Sequence, residues 1–167
     1  MKLTIAPNGN LQIDDARLTY MNFEGRKDQF NRNGDRSFAV IIPNQEIADI
    51  LLSDENQYGK SWNVHIKPPK EEGDNVFIYL PVKVKMGRRP PRIYLRSGAA
   101  RTILTESNVG ILDTIDIDHV DLDIRPYDGD GDGLGGPFRA AYLDSMEVFQ
   151  NVDRFEARYA AEEHPEE

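Results

Sequence analysis

Residues 76 to 86 place an apolar side chain at every second position: Val76, Ile78, Leu80, Val82, Val84 and Met86. A period of two is the side-chain repeat of a β-strand, so this segment requires a strand with one face in a core and the other in water. The wet face carries Phe77, Tyr79, Pro81, Lys83 and Lys85. Gly87-Arg88-Arg89-Pro90-Pro91 reads as a hairpin connection, after which Ile93 and Leu95 turn inward and Arg92, Tyr94 and Arg96 outward. The expected hairpin presents Phe77, Tyr79, Lys83, Lys85, Arg92, Tyr94 and Arg96 on one face, with Arg88 and Arg89 at its tip.

Further β-rich runs at 16–23, 37–42, 61–67, 119–126 and 138–149 bring the expectation to about seven strands. Two short helices are expected between them. Asn44 caps the first, with Ile47, Ile50 and Leu51 on one face, and the second runs from Thr105-Glu106 to about Asp113. A third amphipathic segment covers Val152, Phe155 and Tyr159. A small barrel or sandwich with two peripheral helices follows. The 167 residues suit one compact domain, drawn over 1–159, and the acidic end 160–167 is expected to be a disordered tail. With no cysteine there is no disulfide framework, thiolate zinc site or cysteine nucleophile, which fits a reducing compartment. The N-terminus lacks the apolar stretch of a signal peptide, and no apolar run approaches the roughly 20 residues of a membrane span. A soluble cytoplasmic protein without a membrane partner is expected.

The net charge of −9 argues against a polyanionic ligand until it is divided along the chain. Residues 60–105 hold 10 basic and 3 acidic side chains, whereas residues 106–167 hold 4 and 17. Lys83, Lys85, Arg88, Arg89, Arg92, Arg96 and Arg101 fall between 83 and 101 with no acid among them. Cations follow a phosphate backbone and exposed rings take unstacked bases, a combination suited to single-stranded nucleic acid rather than duplex. A second interleave of rings and cations is Tyr20, Phe23, Arg26, Lys27, Phe30, Arg32, Arg36 and Phe38 in and around an Asn- and Gly-rich loop, where Phe23 and Phe38 read as core. Trp62 alternates with Val64 and Ile66 and reads as core, leaving Asn63, His65 and Lys67 outward, with Lys67 as a minor contact. The acidic tail can occupy a basic groove until nucleic acid displaces it, and then recruit a replication, recombination or repair protein.

Asp128-Gly129-Asp130-Gly131-Asp132-Gly133 matches the first half of a calcium loop, but Arg139 stands where a bidentate Glu is needed. The run is expected to close a β-hairpin. Asp116, Asp118, Asp121 and Asp123 raise a metal-dependent nuclease, yet Val120, Leu122 and Ile124 alternate with the last two, which places Asp121 and Asp123 on a strand's wet side. His65, His119 and His164 have no metal-ligand spacing. Neither cofactor, metal site nor catalytic residue is expected, and the protein is read as a non-enzyme.

The strings Phe30–Val40, Arg89–Leu95, Val120–Tyr127 and Ala141-Tyr142-Leu143 resemble a group of small bacteriophage-encoded single-stranded DNA-binding proteins from phages and prophages of Gram-positive hosts. The resemblance implies an OB-like antiparallel barrel and a place in phage DNA replication or recombination. The leading expectation is therefore a protein that coats single-stranded DNA without sequence readout. The contact residues expected are Phe77, Tyr79, Lys83, Lys85, Arg88, Arg89, Arg92, Tyr94, Arg96, Arg101, Arg26, Lys27, Phe30, Arg32, Arg36 and Lys67. The alternatives are a structural or inhibitory interaction module using the acidic C-terminal third, and then the nuclease. DNA against RNA, site size and oligomeric state, a homo-oligomer included, stay open.

Overall fold

The computed structural model describes residues 1–131 and 135–152. Ten strands form its sheet: β1 (Lys2–Ile5), β2 (Leu11–Ala16), β3 (Leu18–Asn22), β4 (Arg36–Ile42), β5 (His65–Lys67), β6 (Phe77–Val84), β7 (Arg92–Ser97), β8 (Ala100–Leu104), β9 (Ile117–Gly129) and β10 (Phe138–Gln150). The main path runs β1-β2-β9-β10-β6-β4-β3, with β5 added to β6 and a β7-β8 pair added to β10. The fold is mainly β, as expected, but it departs from the expectation in two respects. The described residues form ten strands instead of about seven, because β1, β2 and β8 are short or broken in their alternation. The sheet is also open, since β1 and β3 at the ends of the path share no ladder.

The alternation drives burial. Ile78, Leu80, Val82 and Val84 of β6 pack with Phe38, Val40 and Ile42 of β4, Ile93 and Leu95 of β7, Val120, Leu122 and Ile124 of β9, and Leu143, Met146 and Val148 of β10 in one cluster. Each such side chain contributes roughly 1.5–3 kcal/mol on burial. Trp62, Phe23 and Phe38 lie within this core, as their alternation implies, and the Trp62 indole donates to Asp54 at 2.8 Å. Val76 precedes β6 and stays exposed.

Helix α1 (Gln45–Ser53) starts where expected, the Asn44 side chain accepting from the Ile47 amide at 2.9 Å. It buries Ala48 and Leu51, while Ile50 is exposed. The second helix is a single 3₁₀ segment, Val109–Asp113, tied to the chain after β3 by Asp113, which accepts from the Phe23 and Glu24 amides. β9 and β10 pair antiparallel as the arms of the expected hairpin, with Phe138 opposite Gly129. Asp132, Gly133, the 155–159 segment and the acidic tail lie outside the described residues.

The largest correction concerns the hairpin of 76–97. β6 and β7 do not pair; both run parallel to β10, β6 meeting it at Lys83–Tyr142 and β7 from Arg92–Ser145 to Arg96–Phe149. The chain does not reverse between them. Thirteen residues of β10 offer a longer edge than β6 can fill, and Pro90 and Pro91 lack the amides a ladder would need, so β7 continues along the same edge. The two outward rows stand in file, not abreast.

Candidate nucleic-acid interface

The outer face of β6 is crossed at one end by an aromatic cluster. Tyr20 of β3 meets Tyr79 edge-on at 5.2 Å and Phe77 at 6.3 Å, and His65 of β5 stacks on Tyr79 at 5.0 Å. Lys67 caps the group, its ammonium donating to the Tyr20 hydroxyl at 2.8 Å and lying 5.1 Å over the Tyr20 ring. That hydrogen bond holds the Lys67 pKa above the ordinary lysine value. Tyr20 reaches the cluster through a bulge in β3, where it sits at φ 51°. A left-handed backbone costs a non-glycine residue about 1–2 kcal/mol, and bulges re-aim side chains in this way.

The middle of the face is built around Lys83, whose register partners are Ser37 of β4 and Tyr142 of β10. The Lys83 ammonium lies 6.0 Å from the Tyr142 ring centre and the Arg125 guanidinium 5.4 Å. Tyr127 meets Tyr142 edge-on at 5.5 Å and continues to Phe138 at 6.0 Å. Tyr142, Arg125, Tyr127 and Phe138 were absent from the expected contacts. The signal was present, because Ala141, Leu143, Leu122 and Ile124 are buried, so strand alternation alone turns Tyr142 and Arg125 outward.

The loop between β3 and β4 stands beside this centre and is held by its own polar side chains. Asn22 accepts from the Gly25 and Arg26 amides, Asp28 from those of Phe30 and Asn31, and Asn31 bridges the Arg26 and Asp35 carbonyls at 2.8 and 2.9 Å. At its base Gly25 and Gly34 both have positive φ, and a Cβ on Gly25 would stand 2.7 Å from the Gly34 oxygen. The loop thus presents Arg26, Lys27, Arg32 and the Phe30 ring, which is 89% exposed. Arg36 is used internally as well, donating to the Phe23 carbonyl.

Five depressions are joined end to end by shared side chains. The first, next to Trp62 and Phe138, shares Lys83 with the second, beneath Phe30. The second shares Asp35, Arg36 and Lys85 with the third, which Arg88 also lines. Arg89 and Arg125 lead to the fourth, and Arg92 to the fifth. Every junction carries a cation.

The fifth depression differs in character. Arg96 and Arg101 both donate to the same Glu147 oxygen, Arg101 at 3.1 Å, and Arg101 lies 3.8 Å over the Tyr94 ring. The Arg96 hydrogen bond and then the Arg101 one hold the Glu147 carboxyl below its ordinary pKa. Asp14, Asp121 and Asp123 line the same depression. Burial, with Asp144 and Asp14 nearby, pushes the Asp123 pKa up. The structure therefore brings Lys83, Lys85, Arg88 and Arg89 together with the β3–β4 loop, Lys85 standing 3.9 Å from the Asp35 carboxylate, and places Arg92 farther along the track. It separates Phe77, Tyr79 and Lys67 to one end, and pairs Arg96 and Arg101 with a carboxylate at the other.

Of the carboxylates read as a nuclease candidate, Asp123 lines the fifth depression and Asp116 accepts from the Asn151 side chain at 3.2 Å. Asp121 accepts from the Asp15 amide at 2.9 Å, and Asp118 contacts His119, which stacks on Phe149 at 4.3 Å. Asp128 of the Asp/Gly run is paired with Arg139 at 2.8 Å and Asn56 at 3.0 Å. Among the described residues no group of three or more His, Cys, Asp or Glu side chains is placed to hold a metal ion, and no helix is long and apolar enough to cross a membrane.

The fold is similar to that of the single-stranded DNA-binding protein from bacteriophage Enc34. Its structure in complex with ssDNA matches at a TM-score of 0.53 and 16% identity, covering 92% of this chain and 93% of that one. A second structure of that protein matches at a TM-score of 0.52 and 17% identity, covering 93% of each chain, and one of a C-terminal truncation at 0.52 and 17%, covering 91% of this chain and 97% of that one. Curated protein sequences yield no match. The family model described as "Putative phage ssDNA-binding domain" matches residues 2–166, and the chain belongs to that phage single-stranded DNA-binding family.

Proposed function

We propose that the protein binds single-stranded DNA without sequence readout, in phage DNA replication or recombination in the host cytoplasm, as a non-enzymatic coat on an OB-like sheet. The observation that carries this reading is the series of depressions joined through Lys83, Arg36, Lys85, Arg89, Arg125 and Arg92. Phosphates bind along those cations, and bases stack on Tyr142, Phe30 and the Tyr20–Phe77–Tyr79 group, each stacked base supplying roughly 1–3 kcal/mol. The hydrogen-bonded β3–β4 loop is ordered before the ligand arrives, which lowers the entropic cost of binding. The track ends near Arg92, because the carboxylates beyond it repel phosphate.

A fluorescent oligonucleotide titrated at several salt concentrations tests the reading. With about five phosphates neutralised, the log-log slope is near −3.5, a loss of roughly a hundredfold between 50 and 200 mM salt. Duplex DNA of the same length is expected to bind more weakly, since its base faces are hidden. Absence of binding at 50 mM salt, or equal affinity for duplex, would refute it.

A further inference from the structure

The first depression has a construction the rest of the track lacks. β5 pairs with β6 only over Phe77–Tyr79, and β10 meets β6 only at Lys83, so among the described residues Leu80 to Val82 have no strand on that edge. Phe138 to Ala141 of β10 likewise have β9 on one side and no described strand on the other. The two strands diverge from the Lys83–Tyr142 contact, and the gap between them is a cleft of about 610 Å³ closed on its far side by residues 59–64. The Phe138 carbonyl accepts from the Asn56 side chain at 3.3 Å, and the other Phe138–Ala141 backbone groups that point away from β9 meet the cleft instead of a ladder among the described residues. Pro81 on the opposite wall has no amide to offer.

The lining is chemically mixed. Pro81, Pro137, Ala140 and Ala141 supply apolar surface, Asn63 a side-chain amide, and Lys60 and Lys83 positive charge. The volume falls within the usual range for small-molecule pockets and exceeds what one nucleoside needs. Apolar walls, backbone donors and acceptors and flanking ammonium groups are the complement of a base with a phosphate on either side.

We propose that this cleft receives one nucleobase, turned out of the strand that follows the cationic track. The proposal rests on the single-strand reading above and extends it by making one position along the bound strand different from the rest. The base lies against Pro81 and Ala140, its edge meets the stretch of β10 backbone that no described strand pairs, and Lys60 and Lys83 hold the adjoining phosphates.

The test is an abasic scan. A short oligothymidine, with one abasic site moved along its length, is titrated against the full chain by fluorescence anisotropy. One position is expected to lose about tenfold in affinity, clearly more than its neighbours. Ala140→Trp, which fills the cleft from an outward strand position, is expected to flatten the scan while leaving the salt slope unchanged. Lys60→Ala lies outside any strand and is expected to reduce the peak and the salt slope without affecting the fold, as checked by thermal unfolding. A flat scan in the unaltered protein with tight binding, or a peak that survives Ala140→Trp, overturns the cleft alone. Failure of every oligonucleotide to bind overturns the proposed function with it.

Discussion

Lys83 and Tyr142 are register partners at the one point where β6 and β10 meet, and the Lys83 ammonium stands 6.0 Å from the Tyr142 ring centre. The Arg125 guanidinium lies 5.4 Å from the same ring centre. A base stacked on Tyr142 would have its phosphates within reach of both cations. Charge and stacking are thus supplied by residues far apart in sequence.

The two roles separate in a titration. Tyr142→Ala is expected to lower affinity for single-stranded DNA about tenfold at unchanged salt slope, because a ring displaces no counterions. Lys83→Ala should reduce the slope by about 0.7, the single-strand value for one phosphate contact. Identical slope changes in anisotropy titrations between 50 and 200 mM salt would contradict this division.

Arg96 and Arg101 share Glu147, so removing them together should cost less affinity than removing Arg89 and Arg92 together. The expected losses are no more than about threefold against more than tenfold, since a guanidinium already facing a carboxylate adds little potential for phosphate. Comparable losses in the two double mutants would return the end of β7 to the binding track.

Tyr20 stands at φ 51° and places its ring against Phe77 and Tyr79. Tyr20→Gly relieves the backbone but removes the ring and the Lys67 hydrogen bond. Stability is expected to stay within about 1 kcal/mol of the parent, while affinity for single-stranded DNA falls several-fold. Denaturant unfolding and binding measured on one preparation decide the matter; a large loss of stability with intact binding would make Tyr20 a packing residue only.

Two carboxylates should give opposite pH profiles. Asp128 is held below its ordinary pKa chiefly by the Arg139 hydrogen bond, so it stabilises the fold above the unfolded value and loses that contribution as pH falls through the folded one. Asp123 is pushed up by burial, then by Asp144 and Asp14, so its contribution is complete below the unfolded value and is lost as pH rises through the folded one. Asp128→Asn should therefore be less stable than the parent at pH 7, and Asp123→Asn more stable, each by about 1 kcal/mol. Both differences should shrink towards pH 3 in thermal melts; a constant offset would show that the substitutions act through packing.

Much of the local structure was legible. The alternation of 76–86 placed Ile78, Leu80, Val82 and Val84 inside and Phe77, Tyr79 and Lys83 outside, because the pleat leaves a strand no other choice. The Asn44 cap was readable from a side chain that can accept from its own helix. The same alternation on β9 and β10 would have found Arg125 and Tyr142. The strands β1, β2 and β8 were not legible. β2 is interrupted at Asp15, whose φ of 56° marks a bulge that shifts the pattern between Ile13 and Ala16.

Sequence determined which face of each strand is wet, where the cations concentrate and which loop carries its own hydrogen bonds, since all three depend on contacts within a few residues. Only the tertiary structure decided which strands lie side by side. Period-two patterning leaves a strand's partner unspecified, and the free edge of β10 took β6 and β7 in succession where sequence adjacency suggested a hairpin. That choice drew an expected patch into a line, set Glu147 between Arg96 and Arg101, and opened the cleft beside Pro81. Each depends on edges and charges brought together from distant parts of the chain.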